Sequence, residues 1–226
     1  MTLDRKLTAL DNIYAVYDEF AAGLDLACRK FCARCCTRDV TLTTLEGLKI
    51  LGALTRKKKR QLLQLLEGEQ RHKRFQPKIT INKIAERCAR GQALPEEETR
   101  GEGQCPLLDE NLCRIYGIRP FGCRCFVSKV RCDDSGYADV DAVVLTVNNI
   151  FLQTMEHLDR HGCSGNLSDV LLGLSSGENE RCCRDGKIDC EKTGLIKNQA
   201  MTVLMIPPDH REKVEQILNQ LRRISV

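Results

Sequence analysis

The chain has 226 residues, 14 of them cysteines, and its 35 basic and 31 acidic side chains leave a net charge of +4. A chain of this length can bury a core without crosslinks, so its cysteines do not indicate a small disulfide-stabilised secreted scaffold. The balanced charge, with no Trp, four Tyr and six Phe, argues against a nucleic-acid-binding protein.

The start of the chain has no continuous apolar segment of the kind that directs secretion. No stretch approaches the roughly 18 uncharged apolar residues needed to span a bilayer. We therefore expect a cytoplasmic protein without membrane association. Because thiols are kept reduced in that compartment, closely spaced cysteines favour metal binding or redox chemistry over structural disulfides.

Hydrophobic periodicity predicts helices along the first 90 residues. An amphipathic helix over 3–27 leads to the first cysteines, and a capping-box pattern at Thr43 and Glu46 precedes a second helix. A third helix is predicted over 55–74. Pro77 then interrupts the pattern, and a fourth helix is expected over 79–90, where Cys88 lies on an apolar face and is expected to pack in the core.

The middle of the chain is expected to be irregular. Residues 91–103 contain glutamates, glycines and a proline and indicate an exposed loop. Residues 105–125 have no lasting period, which predicts turns wrapped around a site instead of a regular element. A further loop is expected at 133–136.

The last third again favours helices, with one strand. The predicted elements are a core helix over 138–160, a short helix capped by Ser168 and running through Leu174, a polar loop over 175–194, a strand over 201–206 and an amphipathic helix over 211–224. The expected fold is mainly α, with irregular cysteine-rich loops around a metal or cluster site and at most one small strand pair. We expect one domain over 1–226, with a cysteine-cluster core at about 28–132 and a C-terminal extension over 133–226.

Two groups of cysteines carry the predicted chemistry. They are Cys28-x3-Cys32-x2-Cys35-Cys36 and Cys105-x7-Cys113-x9-Cys123-x1-Cys125. None of the four histidines falls at zinc-finger spacing from a cysteine, so an all-thiolate site with ligands from both groups is favoured. Side chains of adjacent residues diverge, which leaves one of Cys35 and Cys36 for a second centre or a structural role.

Besides Cys88, five further cysteines lie outside these groups, at Cys132, Cys163, Cys182, Cys183 and Cys190. Two interpretations of the last three stay open. They could complete a second centre with Cys163 or Cys132, or they could be exposed thiols that form a redox disulfide.

The run CPLLDENLCRIYGIRPFGCR from Cys105 to Arg124, preceded by Cys32-x2-Cys35-Cys36, resembles the YkgJ-type zinc- or iron-chelating cysteine-cluster family. The resemblance implies a metal or iron–sulfur module of bacterial proteins, related to the cysteine-cluster region of flagellin lysine methylases. The family's cysteines correspond by position to Cys32, Cys35, Cys36, Cys105, Cys113 and Cys123. Cys28 departs from the expected spacing by one residue, and Cys125 lies outside the shared pattern.

The same resemblance includes Arg119 and Arg124 in the family's intervening signature. Both side chains are always charged and carry several donors, so we expect them to offset the negative charge of a thiolate site. An alternative for Arg119 is an ion pair with a carboxylate that serves folding alone.

Fourteen cysteines exceed the needs of one zinc site, which favours an iron–sulfur cluster, expected to be [4Fe-4S], over Zn²⁺. The leading hypothesis is electron transfer, redox sensing or metal handling, with one or two centres. One alternative is a structural zinc module that binds an acidic partner through the basic residues of 56–78. Another is a group-transfer enzyme related to the flagellin methylases. No nucleotide-binding or hydrolase motif occurs, and enzymatic activity stays open.

Overall fold

The computed structural model describes residues 1–97 and 100–224. Its helices are α1 (Leu3–Ala22), α2 (Thr44–Ala53), α3 (Arg56–Gly68), α4 (Ile81–Ala89), α5 (Phe121–Arg124), α6 (Cys132–Ser135), α7 (Ala142–Leu158), α8 (Leu167–Gly173), α9 (Gly177–Arg184) and α10 (Arg211–Arg223). The predicted mainly α fold is confirmed. None of the described helices is both long enough and apolar enough to cross a membrane.

The strands are short: β1 (Thr41–Thr43), β2 (Leu108–Asp109), β3 (Leu112–Cys113), β4 (Cys163–Asn166) and β5 (Ile196–Lys197). They form a three-stranded antiparallel sheet in the order β1-β4-β5 and a hairpin of β2 and β3. The hairpin turn has positive φ at both Glu110 (44°) and Asn111 (64°), as the twist of a two-residue hairpin turn requires.

Two apolar clusters form the core. One lies among α1, α7 and α10, where Tyr17, Phe121 and Phe151 pack with ring centroids 4.6 to 5.6 Å apart. The other lies among the sheet, α2, α3 and α8. Phe121 begins α5, so the first cluster reaches directly under the cysteine-rich segment.

The predicted capping box at the start of α2 is confirmed. The Thr43 hydroxyl accepts from the backbone N–H of Glu46, and the Glu46 carboxylate accepts from the backbone N–H of Thr43. The other carboxylate oxygen of Glu46 accepts from the Tyr14 hydroxyl at 2.7 Å and from the Phe121 backbone N–H at 2.8 Å. One buried side chain therefore joins α1, α2 and α5.

The strand predicted over 201–206 is wrong, and the strand lies instead at Ile196–Lys197. Side chains of α7 take up the backbone bonds of the predicted strand. Gln153 donates to Val203 O and accepts from Met205 N, and His157 Nδ1 accepts from Met201 N. An apolar extended segment can thus be satisfied by a helix face as well as by a neighbouring strand.

Three predicted loops contain short regular elements. Helix α9 lies within 175–194, because glutamates in its first turn and arginines in its last turn complement the helix dipole. Helix α6 overlaps 133–136, and the hairpin, a 3₁₀ turn and α5 lie within 105–125. The loop over 91–103 has no regular element where it is described, and residues 98 and 99 lie outside the described residues.

Two local predictions also need correction. Asn166, not Ser168, caps α8, since its side chain accepts from the Ser168 backbone N–H at 3.0 Å. Cys88 is exposed and not part of the core. Helix α4 packs on α7 through Asn82 and Ala85, and its last turn extends into solvent.

The C-terminal half is interleaved with the cysteine-rich half. Strand β4 pairs with β1 in the register Thr41 to Asn166, and α8 packs on α2 and α3. The division into a core over 28–132 and an extension over 133–226 stays a prediction.

Candidate metal centre

A cavity of about 180 Å³ lies between the two cysteine groups. It is lined by seven of the eight cysteines singled out in the sequence: Cys28, Cys32, Cys35, Cys36, Cys105, Cys113 and Cys123. Residues more than 60 positions apart in sequence thus share one cavity.

Backbone hydrogen bonds hold the two groups against each other. The N–H of Cys105 donates to Cys36 O at 2.9 Å, and a single β-bridge joins Thr37 to Gln104. On the other side, the N–H of Ala27 donates to Ser128 O at 2.8 Å. The first group therefore lies in a loop fastened at both ends to the second.

The short helix α5 places Cys123 deep in the cavity. Gly122 allows α5 to approach β1 closely, since a Cβ at this position would lie 2.8 Å from Thr41 O. Phe121 beside it is fully buried in the aromatic cluster. The sequence Phe121-Gly122-Cys123 thus supplies an anchor, a close contact and a thiol in consecutive residues.

Four thiols lie close enough for each one to affect the ionisation of the other three. They belong to Cys36, Cys105, Cys113 and Cys123, and we call them the thiol tetrad. Burial is the main cause that raises the pKa of Cys105, Cys113 and Cys123, and neighbouring thiols add to the effect at Cys105 and Cys123. A hydrogen bond from the Cys35 thiol lowers the pKa of Cys36. Four sulfurs from four local segments thus form one electrostatic group.

A second cavity adjoins the first and is lined by Cys28, Cys32, Cys35, Cys125 and Cys132. Burial raises the pKa of Cys28, and the thiols of Cys32, Cys35 and Cys132 raise it further. Burial also raises the pKa of Cys125 to about 12. Cys125 does not line the first cavity, although its thiol raises the pKa of Cys123. Cys132 lies in this second cavity although the motif analysis left it outside the main groups.

Among the residues that the structure describes, no three His, Cys, Asp or Glu side chains are already arranged to hold a metal ion. The tetrad shares a cavity and an electrostatic environment. Ligation of a metal by these residues therefore requires their sulfurs to come closer together.

Two arginines next to the tetrad have unpaired donors. Arg119 lines the cavity, stacks on the Tyr116 ring at 4.1 Å and opposes the effect of burial on the pKa of Cys113 and Cys123. Arg38 acts in the same way on Cys105 while its terminal nitrogen bonds Glu69 at 2.5 Å. The Nε atoms of both are buried without a hydrogen-bond partner. Arg38 lies two positions after Cys36 and was not predicted from the sequence to belong to the site.

Arg124 also lines the cavity, but its donors are engaged elsewhere. Its terminal nitrogen contacts both carboxylate oxygens of Asp18 at 3.1 Å, and its Nε–H donates to Arg119 O at 3.1 Å. Its guanidinium lies 4.5 Å from the centre of the Tyr14 ring. Arg124 thereby fastens α1 to α5 beside the cavity.

Two exposed aromatic side chains stand at the mouth of the cavity. Phe31 and Phe126 line it and are 61% and 53% exposed. Phe31 holds a φ of +72°, a strained conformation for a bulky residue. Strain of this kind persists where the surrounding structure imposes it, and it is frequent at functional sites.

Cys163 and Cys190 form a disulfide across 27 residues, which ties β4 to the segment before β5. Both residues are buried, so the interpretation of Cys190 as an exposed thiol is wrong, and the disulfide removes the pair from a thiolate metal site. Cys183 is also buried, whereas Cys182 is partly exposed. A fold-forming disulfide had not been expected because the compartment argument favoured free thiols.

Residues 27–143, just over half of the chain, match the family described as "CxxCxxCC: Putative zinc- or iron-chelating domain". The chain belongs to this family. The resemblance to the YkgJ-type cysteine-cluster family is thereby confirmed, and the protein is a cysteine-rich metal-binding member of it. The matched segment contains every cysteine that lines the two cavities, while α1 and α7 complete their walls from outside it. No curated protein and no solved structure matches the chain.

Proposed function

We propose that this CxxCxxCC-family protein binds a [4Fe-4S] cluster through the thiol tetrad and uses it for electron transfer or redox sensing. Four cysteine thiolates are the usual ligands of such a cluster, which supplies reversible one-electron transfer. The tetrad has the required number of sulfurs, and they come from separate turns that can close around a centre larger than one ion.

The unpaired Nε–H groups of Arg38 and Arg119 carry this proposal. A buried donor without an acceptor costs about 1–3 kcal/mol. Arg119 lines the cavity, and Arg38 lies near enough for its charge to lower the pKa of Cys105, so their free donors favour an anionic, acceptor-rich occupant near the tetrad. Zinc adds no acceptor beyond the four thiolates, whereas an iron–sulfur cluster also brings sulfide acceptors. Hydrogen bonds to cluster sulfurs are also a recognised means of tuning its potential.

The surrounding residues have definable roles in this proposal. Arg119 offsets the negative charge of the thiolates, and the apolar side chains of Val40 and Val127 limit the access of water to the cavity. The exposed rings of Phe31 and Phe126 lie between the cavity and solvent, where a redox partner could make contact. The site is therefore close enough to the surface for exchange of electrons.

We also propose a second centre in the adjoining cavity, held by Cys28, Cys32, Cys35 and Cys132. The proximity of these thiols supports it, as does the hydrogen bond between Cys35 and Cys36, which links the two sets. Cys125 lines the same cavity and could ligate this centre in place of one of the four. This arrangement assigns the adjacent Cys35 and Cys36 to different centres, which suits their diverging side chains.

Anaerobic purification followed by visible spectroscopy and iron, sulfide and zinc analysis tests the proposal. We expect broad absorbance at about 400 nm that bleaches with dithionite, which is typical of cysteine-ligated clusters. About four irons and four sulfides per chain would indicate one centre, and about eight of each would indicate two. A colourless protein with stoichiometric zinc would contradict the cluster.

The zinc module with an acidic partner is the second candidate, and one observation favours it. The first turn of α3 contains Arg56, Lys57 and Lys58, all exposed, and no acidic residue. Cations at this end oppose the helix dipole, so they do not serve the stability of α3. Zinc in place of iron, together with polyglutamate binding that weakens steeply with salt and disappears in a Lys57→Glu, Lys58→Glu variant, would support it.

We place this function in the cytoplasm, as the sequence suggested. The Cys163–Cys190 disulfide is unusual for a reducing compartment, but its burial shields it from soluble thiols. Thiol counting on protein denatured, chelated and alkylated at lysis tests whether the disulfide exists in the cell, with 12 free cysteines expected once the metal is removed. The group-transfer alternative stays a prediction from the family resemblance.

A further inference from the structure

A third cavity, of about 550 Å³, lies on a different part of the molecule from the cysteine cavities. It is bounded by the start of α1, by α2, by the segment after α7 and by the end of α9. We propose that this basic cavity binds a small organic anion that carries at least two negative charges. The proposal does not depend on the metal centre.

The lining of the basic cavity is strongly cationic. Its charged side chains are the five cations Arg5, Lys6, Arg160, Arg184 and Lys187 and the two carboxylates Asp159 and Asp185. Arg184 pairs with Glu180 at 2.8 Å. Within the described part of the chain, the other four cations have no carboxylate within 4.0 Å. The cavity thus concentrates positive charge that the fold itself leaves unpaired.

Asp159 lies at the floor of the cavity, but its carboxylate is already engaged by other donors. One oxygen accepts from the Thr44 hydroxyl at 2.7 Å, from Leu45 N at 3.0 Å and from the side-chain amide of Asn198 at 3.2 Å. Leu45 belongs to the first turn of α2, so this helix end holds the carboxylate in place. Asp159 therefore contributes to the fold and leaves most of the cationic lining available.

The positions of Arg5 and Lys6 strengthen the inference. Both lie in the first turns of α1, where the helix dipole disfavours cations. Arg160 and Arg184 have a simpler explanation, because they follow or end helices whose C-termini favour positive charge. The α1 pair gains nothing of this kind. Lys6 attracts the Asp159 carboxylate and lowers its pKa, but from beyond ion-pair distance, and Arg5 has no carboxylate partner among the described side chains. A bound anion would account for both cations.

The size and the apolar side of the cavity indicate the class of ligand. Small-molecule sites typically enclose about 300–1,000 Å³. Leu3, Leu45 and Leu48 line one side, opposite the cations. This combination suits a molecule with a compact anionic end and a less polar body. Organic phosphates and polycarboxylates share this chemistry, and the test below separates them.

Isothermal titration of the full metal-loaded protein tests the proposal with ATP, pyrophosphate and citrate as probes in about 0.15 M salt, which screens weak surface attraction. We expect at least one probe to bind with a dissociation constant below about 1 mM. Binding of ATP and pyrophosphate alone would assign a phosphate ligand, and binding of citrate alone would assign a polycarboxylate. Failure of all three to bind would overturn the proposal.

Matched variants locate the binding. Lys6→Gln with Arg160→Gln removes two cavity charges, and we expect binding to weaken at least about tenfold. Arg211→Gln with Lys213→Gln removes the same charge from exposed positions of α10, outside the cavity, and should change binding less than about twofold. Equal losses in the two variants would indicate only a diffuse field and would also overturn the proposal. If the cavity variant does not fold, Arg5→Gln with Lys187→Gln, both exposed, replaces it.

Discussion

Buried polar groups around α7 have hydrogen-bond partners, whereas two buried donors around the thiol tetrad have none among the described residues. Around α7, Gln153 bonds the side chain of Asn82 as well as Val203 and Met205, and Glu156 accepts from the backbone N–H groups of Asn82 and Gln199. Around the tetrad, the Nε atoms of Arg38 and Arg119 have no partner.

The two regions also differ in regular structure. Helix α7 has 17 residues and a buried face along its length, whereas the tetrad is carried by two-residue strands, a four-residue helix and loops. A region built from such short elements buries little apolar surface of its own. The polar groups and apolar surface of the α7 region are therefore satisfied by the fold itself. The tetrad region, in contrast, depends on a bound metal group for part of its stability.

The largest expected effect is the loss of the centre in a Cys123→Ser variant. Cys123 is the tetrad member whose pKa burial raises most clearly, and a hydroxyl is a much weaker ligand for iron or zinc than a thiolate. We expect metal content to fall at least about fivefold and thermal stability to fall with it. Metal analysis and calorimetry of the anaerobically purified protein measure both effects.

The matched control is Cys88→Ser, which changes an exposed thiol outside both cysteine cavities. It should leave metal content and stability unchanged. Equal metal loss in the two variants would contradict the assignment of the tetrad.

The disulfide tests whether stability outside the tetrad region can be changed without affecting the metal centre. Replacing Cys163 and Cys190 by Ala together should lower the free energy of unfolding by about 3–4 kcal/mol, the loop-entropy value for a separation of 27 residues. Metal content should stay near that of the wild-type protein, because the disulfide lies among β4, β5 and α9 and not at the tetrad. Urea unfolding with parallel metal analysis measures this, and a coordinate loss of metal would show that the two regions are not separable.

The pH dependence of stability should carry a contribution from Asp159. Burial raises the pKa of Asp159 to about 6, from the 3.8 of an unperturbed carboxyl, so the folded state binds the proton more tightly than the unfolded chain. The free energy of unfolding should therefore fall as pH rises from about 4 to about 6, by about 2–3 kcal/mol from this group.

Asp159→Asn cannot titrate and should lack this part of the pH dependence. Urea unfolding of both proteins at pH 4, 5, 6 and 7 gives the difference directly. Parallel pH profiles for the two proteins would rule out Asp159 as the source.

The smallest expected effect concerns Glu46, which joins α5 of the tetrad region to α1 and α2. In Glu46→Gln, one amide oxygen can still accept from Tyr14 and Phe121, while the amide nitrogen can no longer accept from Thr43. We expect a loss of about 1–2 kcal/mol with unchanged metal content. Thermal unfolding measures the loss, and a drop in bound metal would instead indicate that α5 has moved.

The long helices were predictable because their apolar residues repeat with the helical period, and side-chain caps also fix the starts of α1 and α2. Helices α1, α7 and α10 and the capping box of α2 all follow from sequence in this way. The failures occurred where a distant partner decides the outcome. Residues 201–206 have the apolar character of a strand, but their backbone bonds go to the side chains of α7.

For the site, the sequence by itself determined the family and its metal-binding character, because closely spaced cysteines and the Cys105 to Arg124 motif are local features. Only the tertiary structure decided how the thiols are divided. It grouped Cys36 with Cys105, Cys113 and Cys123, moved Cys125 to the adjoining cavity beside Cys132, and joined Cys163 to Cys190. Which sulfurs meet depends on chain crossings between residues far apart in sequence, and no spacing rule contains that information.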